Sequence, residues 1–371
     1  FYLDRSNFET NLIHHVPAPQ NYRNETPPAG VEEILYHSGD LLLKAWISAD
    51  PADGKKHPAV VYAHGGFSFG GADEWAMMQQ FLDQGFVLMA PMLRGENGNP
   101  GYFEFFYGEV DDLIAAGDYL ANVSYVDEER IFLCGHSVGG TLSMLVSMMP
   151  SKYRAHASYS GSPDQELFFM YSDTIIPFDS NNPEEIALRS PIEYPDSIIK
   201  PLFIYVAEQD IGYVELNEYL ADYSREIGRP CEFRIVQGDH FSSVGECVRL
   251  TIDEFNDIEA YEALALNRSI AYAWFAKGVE YDNLSRYEEA VYCYERSIEF
   301  DPLYTMAWNG KGCALGSMGL YDEAIECFDK ATDIDGDFAL AWENKAIALR
   351  ALGRIAESNL AYRKAGVIYF Y

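Results

Sequence analysis

Arg130-Ile131-Phe132-Leu133-Cys134-Gly135-His136-Ser137-Val138-Gly139-Gly140-Thr141 is the stretch that decides the fold. Residues 131–134 are an apolar run of strand length, and residues 141–149 have helical character. Between them lies Gly-x-Ser-x-Gly. Glycines two before and two after Ser137 let the backbone fold into a sharp strand-to-helix corner with the serine at its apex. The corner exposes the hydroxyl and puts the Val138 amide at a helix N-terminus, where negative charge is stabilised. In a chain with 29 Gly such a pattern also arises by chance. Its meaning depends on what the rest of the chain supplies.

Working outward, short apolar runs alternate with helical segments. Residues 1–30 are polar and carry Pro17, Pro19, Pro27 and Pro28. They read as an arm over the body. Residues 31–36 and 41–47 predict a β-hairpin. Residues 58–63, 86–90, 131–134, 155–161, 201–206 and 231–236 predict buried strands, with helices over 75–84, 109–121, 216–227 and 244–255. This order implies a mostly parallel sheet covered on both faces. Residues 163–198 break the alternation and are expected to form a lid, the segment that would choose the substrate.

In such sheets function collects at the carboxyl ends of the strands. Four groups fall there: His64-Gly65-Gly66, Ser137, Asp210 and His240. Serine is a weak nucleophile at neutral pH and needs a base held by an orienting carboxylate. Ser137, Asp210 and His240 occur in the chain order nucleophile, acid, base, each after its own strand. Amides of Val138 and of Phe67 (or Gly66) would bind the oxyanion, a donor worth on the order of 3 kcal/mol in such sites. Glu208 is a rival acid. Asp239 adjoins His240 but points away from it, and His136 is expected to be a packed or hydrogen-bonded elbow residue rather than the base. Arg94 and Glu96 are expected to pair and brace the glycine-rich loop 93–101. Residues 102–107 are read either as pocket lining or as core under a loop.

At these residues the sequence resembles a known family. His-Gly-Gly (64–66), Leu-Arg-Gly-Glu-Asn-Gly (93–98), Gly-His-Ser-Val-Gly-Gly (135–140), Arg-Ser-Pro-Ile (189–192), Asp210 and Gly-Asp-His-Phe (238–241) together resemble the catalytic domain of the prolyl oligopeptidase family. The pattern is also similar to dienelactone-hydrolase-like and acetyl-esterase-like α/β-hydrolases. The resemblance covers residues 31–258. It implies an α/β-hydrolase fold and hydrolysis of ester or peptide bonds through an acyl-enzyme. Two departures tilt the reading towards esters: only about 30 residues precede the domain where those peptidases carry a β-propeller, and Ala-Glu-Gln-Asp-Ile-Gly (207–212) differs from the family's acid motif.

The remaining chain repeats. Trp274, Trp308 and Trp342 are spaced by 34 residues, as are Gly278, Gly312 and Ala346, and Tyr294, Phe328 and Tyr362. Small residues and aromatics at fixed offsets with this period are the tetratricopeptide-repeat pattern. Three repeats are expected over 271–371 after a connecting helix at 259–270, and the apolar tail Val367-Ile368-Tyr369-Phe370-Tyr371 should seek cover. Such an all-α domain serves protein or peptide binding or self-association into a homo-oligomer. An interaction scaffold whose hydrolase domain is secondary or inactive is the competing reading.

Composition narrows the partners. Asp plus Glu number 58 against 26 Lys plus Arg, a formal charge of −32. Such a surface disfavours nucleic acid and anionic membrane. It fits solubility first and high-salt adaptation second. No apolar run reaches the roughly 18 residues of a membrane span. The 6 cysteines lack ligand or disulfide spacing and read as core residues, and neither a metal nor another cofactor is implied. A cytoplasmic location is favoured. Because the chain starts at Phe1, an earlier segment, and with it export, stays open.

Overall fold

A computed structural model describes residues 1–170 and 174–366; the apolar tail at 367–371 lies outside the described residues. The chain divides into two compact units, Phe1–Glu262 and Ala263–Tyr371.

The first unit opens with a short helix, α1 (Tyr2–Asn7). An eight-stranded sheet follows, built from β1 (Val31–Ser38), β2 (Leu41–Ser48), β3 (His57–Ala63), β4 (Val87–Pro91), β5 (Val126–His136), β6 (Ala155–Tyr159), β7 (Leu202–Ala207) and β8 (Cys231–Val236). The spatial order is β1-β2-β4-β3-β5-β6-β7-β8. The hairpin β1–β2 is antiparallel and joins β4 antiparallel. From β4 onward every neighbour is parallel. The central parallel strands β4, β6 and β7 are buried along their whole length. Helices on both faces keep water from the centre of the sheet, while the edge strands β1 and β8 stay partly exposed.

The expected helix at 75–84 is two: α2 (Ala72–Met77) and α3 (Gln79–Asp83), broken where Met78 takes φ −96° and ψ 7°. Trp75, Met78 and Phe81 are all buried. An unbroken α-helix would turn Phe81 about 120° away from Trp75; the break lets all three face the core. Helix α4 (Gly108–Leu120) precedes β5, and α5 (Val138–Ser147), buried at every position, follows it. Residues 163–198 hold α6 (Gln165–Met170), α7 (Pro183–Ala187) and two short 3₁₀ turns. A cavity of about 630 Å³ is lined by Asp164, Phe169, Met170, Ile176, Ile186 and Ser190 of this segment. Helix α8 (Ile211–Glu226) links β7 to β8, and α9 (Val244–Asn256) closes the layer.

The expected connecting helix is continuous with the first repeat helix, giving α10 (Ile258–Asn283). The second unit continues with α11 (Tyr287–Phe300), α12 (Thr305–Ser317), α13 (Tyr321–Ile334), α14 (Ala339–Ala351) and α15 (Ile355–Lys364). The 34-residue period has a packing cause. A Cβ on Gly278 would stand 2.6 Å from the Tyr294 ring, and one on Gly312 2.5 Å from the Phe328 ring. Trp308 and Trp342 each donate their indole N–H to a carbonyl six residues back, that of Pro302 at 2.9 Å and Gly336 at 2.8 Å. Each tryptophan thereby fastens the turn before its own helix.

Candidate active site

The elbow after β5 is held by sterics. Ser137 sits at φ 55° and ψ −114°, a region that costs a non-glycine residue on the order of 1–3 kcal/mol. Close packing around it keeps it there. A Cβ on Gly139 would lie 2.0 Å from the Ala63 carbonyl oxygen, and one on Gly135 2.2 Å from that of Gly139. The Ser137 amide donates to the Tyr159 carbonyl of β6 at 2.8 Å. Val138 opens α5, so its N–H belongs to the first turn and has no acceptor within the helix.

Asp210 follows β7 and His240 follows β8. The two meet: His240 Nδ1 lies 2.7 Å from Asp210 Oδ2. With Nδ1–H donating to the carboxylate, the lone pair of His240 is on Nε2. Glu208 is engaged elsewhere; its carboxylate accepts from the Gly238 amide at 3.4 Å. Asp239 accepts from the Phe241 and Ser242 amides at 3.0 and 2.9 Å, which braces the turn that carries His240. His136, next to Ser137, donates Nε2–H to the His240 carbonyl at 2.7 Å, and the two rings lie 4.7 Å apart. Burial, and then the neighbouring His240, push the His136 imidazolium down to about 4, so it is neutral at physiological pH. This residue ties the histidine loop to the elbow.

The loop after β3 brings Gly65, Gly66 and Phe67 to the same rim. Glu74 of α2 organises it, accepting from the Gly65 amide at 3.0 Å, the Gly70 amide at 2.7 Å and the Tyr62 hydroxyl at 3.1 Å. Beneath it, His64 Nε2 lies 2.8 Å from Glu96 Oε2, both side chains almost wholly buried. Burial opposes charge on His64, but Glu96 outweighs it and raises the imidazolium to about 9. The expected Arg94–Glu96 pair is therefore not formed. Arg94 turns to Asp112 at 2.8 Å and Glu104 at 2.5 Å. In the aromatic loop Phe103, Phe105 and Phe106 are core, while Tyr102 is exposed.

Two contributors had no sequence signal. Glu74 is an acidic residue in the first turn of α2, where such residues are common. Gln20, in the polar arm, accepts a hydrogen bond from the Phe67 amide through Oε1 at 2.8 Å. Among the described residues no group of three or more His, Cys, Asp or Glu is placed to hold a metal ion, and no helix is long and apolar enough to cross a membrane.

A mostly parallel eight-stranded sheet, a serine elbow and a histidine–aspartate pair at the strand ends define an α/β-hydrolase-fold protein with a helical repeat unit. Residues 74–218 match the sequence model of the prolyl oligopeptidase family, and residues 271–304 and 306–338 match the tetratricopeptide repeat. The chain thus carries a prolyl oligopeptidase family domain followed by tetratricopeptide repeats. It is similar to the uncharacterized peptidase YtmA of Bacillus subtilis, 28% identical over 209 residues, covering 54% of this chain and 81% of that protein. It is also 28% identical over 209 residues to the acylamino-acid-releasing enzyme of Rattus norvegicus, covering 50% of this chain but 28% of the rat protein. In structure it resembles the acylaminoacyl peptidase of Pyrococcus horikoshii, with a TM-score of 0.53 and 19% identity, covering 61% of this chain and 41% of that one.

Proposed function

We propose that the chain is a serine hydrolase that cleaves peptide or ester bonds through an acyl-enzyme. The observation that carries this reading is the 2.7 Å hydrogen bond between Asp210 and His240, at the rim where Ser137 occupies its strained elbow. Ser137 Oγ attacks the substrate carbonyl carbon while His240 Nε2 takes its proton. The charge that develops on the carbonyl oxygen falls to the amides of Val138 and of Phe67 (or Gly66). The tetrahedral species collapses, the C–N or C–O bond breaks, and His240 returns the proton to the leaving group. Water then attacks the acyl-enzyme, again giving its proton to His240, and the acid leaves as Ser137 regains the proton. Asp210 holds the imidazole orientation and stabilises its charged form.

The residues alone tilt towards esters; the peptidase relatives shift the weight towards peptide bonds. Segment 163–198 acts as the lid that selects the acyl group. The repeats serve a protein or peptide partner or a second copy of the chain. The test is labelling by a fluorophosphonate probe with a panel of short acyl esters and aminoacyl or acylated peptidyl amides. Labelling lost in Ser137→Ala is expected, and a folded protein that never labels refutes the reading.

A further inference from the structure

The N-terminal arm crosses the loop that follows β3. It is fastened on both sides of Gln20. The Val16 carbonyl accepts from the Phe103 amide at 2.9 Å, and the Ala18 amide donates to the Gly95 carbonyl at 3.0 Å. Beyond Gln20, the Glu25 carboxylate accepts from the Ala72 amide at 3.0 Å. Between these points the exposed Gln20 side chain reaches down to the Phe67 amide, 2.8 Å from its Oε1. A second feature marks the same spot. Gly66 has φ +68°, and a Cβ there would stand 2.4 Å from Gln20 Oε1. A bare glycine beside the amide leaves room for an acceptor oxygen above it, and that room holds a carboxamide carbonyl of the arm.

We propose that the arm is an intramolecular pseudosubstrate: Gln20 lays its carboxamide carbonyl on the Phe67 amide, and an incoming substrate carbonyl must displace it. This rests on Phe67 serving the oxyanion in the hydrolase reading. Displacement needs only the Gln20 side chain to swing out, since the arm is held independently by the Val16 and Ala18 backbone on one side and by the Glu25 side chain on the other. Gln20 bears on turnover through this amide alone and takes no part in the chemistry. A carbonyl that fits the same place is that of an amide or ester whose acyl chain can run under the arm, beside Gly66 and Phe67.

The experiment uses the full chain and the rate of inactivation by a fluorophosphonate. A net hydrogen bond of ordinary strength corresponds to about a two- to tenfold change in availability of the amide. Gln20→Ala and Gln20→Asn, whose side chain is one methylene shorter, should label about two- to tenfold faster than the wild type. Gln20→Glu presents a charged acceptor, which binds an amide more strongly, and should label more slowly. Exchange of the Phe67 amide, read by hydrogen–deuterium mass spectrometry, should quicken in Gln20→Ala. Equal or slower labelling of Gln20→Ala while the wild type labels overturns the pseudosubstrate and leaves the hydrolase standing. Unchanged Phe67 exchange overturns the pseudosubstrate by itself. Absence of labelling in every folded protein overturns the hydrolase reading and the pseudosubstrate with it.

Discussion

Glu96→Gln removes one charge from beneath the candidate oxyanion loop and little else. Glu96 Oε2 alone accepts from both His64 Nε2, at 2.8 Å, and the Leu93 amide, at 3.0 Å. The glutamine carbonyl oxygen can keep both bonds. What disappears is the attraction that holds the His64 imidazolium at about 9. Unfolded histidine titrates near 6.5. A group whose folded pKa is raised stabilises the native state below its unfolded pKa and loses that contribution as pH rises through the folded one. From those two values the proton on His64 contributes about 3 kcal/mol below pH 6, about 2.5 kcal/mol at pH 7, and under about 0.5 kcal/mol at pH 9. The wild type should therefore exceed Glu96→Gln by about 2–3 kcal/mol at pH 6, and the two should converge by pH 9.5. Titrations away from the His64–Glu96 pair are common to both proteins and cancel. The assay is urea unfolding of the first unit at a series of pH values, followed by hydrogen exchange in β3 so that the repeat unit does not enter. A gap that stays constant from pH 6 to pH 9.5 would mean that His64 is neutral in the fold, and the reasoning would fail.

Asp210→Asn should lower kcat by about three to four orders of magnitude with KM little changed, as loss of the orienting carboxylate does in serine triads. Glu208→Gln should stay within a few-fold of wild type, because that carboxylate meets the Gly238 amide and not His240; steady-state kinetics that ranked the two the other way would displace Asp210 as the acid. In the second unit, Gly312→Ala drives a Cβ to 2.5 Å from the Phe328 ring, whereas Gly316→Ala in the same helix meets nothing nearer than 3.9 Å. The first should destabilise by about 1–3 kcal/mol through overpacking less the roughly 1 kcal/mol helix gain, and the second should stabilise by up to about 1 kcal/mol. Exchange protection of α12 and α13 reads both, and equal effects would refute the packing cause of the repeat period.

The parts of this protein that could be read from sequence are those whose cause is local. Buried parallel strands announce themselves as near-continuous apolar runs, which is why β3, β4 and β7 were visible. The elbow was visible because only glycine fits at 135 and 139, where a Cβ would enter backbone. The repeat was visible because Tyr294 and Phe328 demand a small residue at the same offset each time. The helix break at Met78 was not, because it answers to the joint burial of Trp75 and Phe81. The partners of Arg94 and Glu96 were exchanged for a related reason. Neighbours in sequence looked like natural partners, yet a buried carboxylate pairs with whatever cation the fold delivers, here His64, 32 positions away.

The rim of the candidate site shows why the acyl group is harder to read than the reaction class. The candidate groups Ser137, Asp210 and His240 follow the ends of the parallel strands β5, β7 and β8, and strand order sets that placement. The walls come from segments far apart in the chain, and Arg189 joins several of them. Fully buried, it donates to the Thr10 hydroxyl of the arm at 2.9 Å, to the Phe105 carbonyl at 2.9 Å and to Glu185 of α7 at 2.6 Å. Its guanidinium lies 3.7 Å over the Phe178 ring. Arm, aromatic loop and lid segment are therefore one connected structure, because a buried cation must satisfy its donors from every side that encloses it. A substitution in any one of these segments is felt by the others. The shape that the proposed reaction would offer an acyl chain is thus a property of the assembled segments, and Gln20 is the part of the arm that reaches the Phe67 amide.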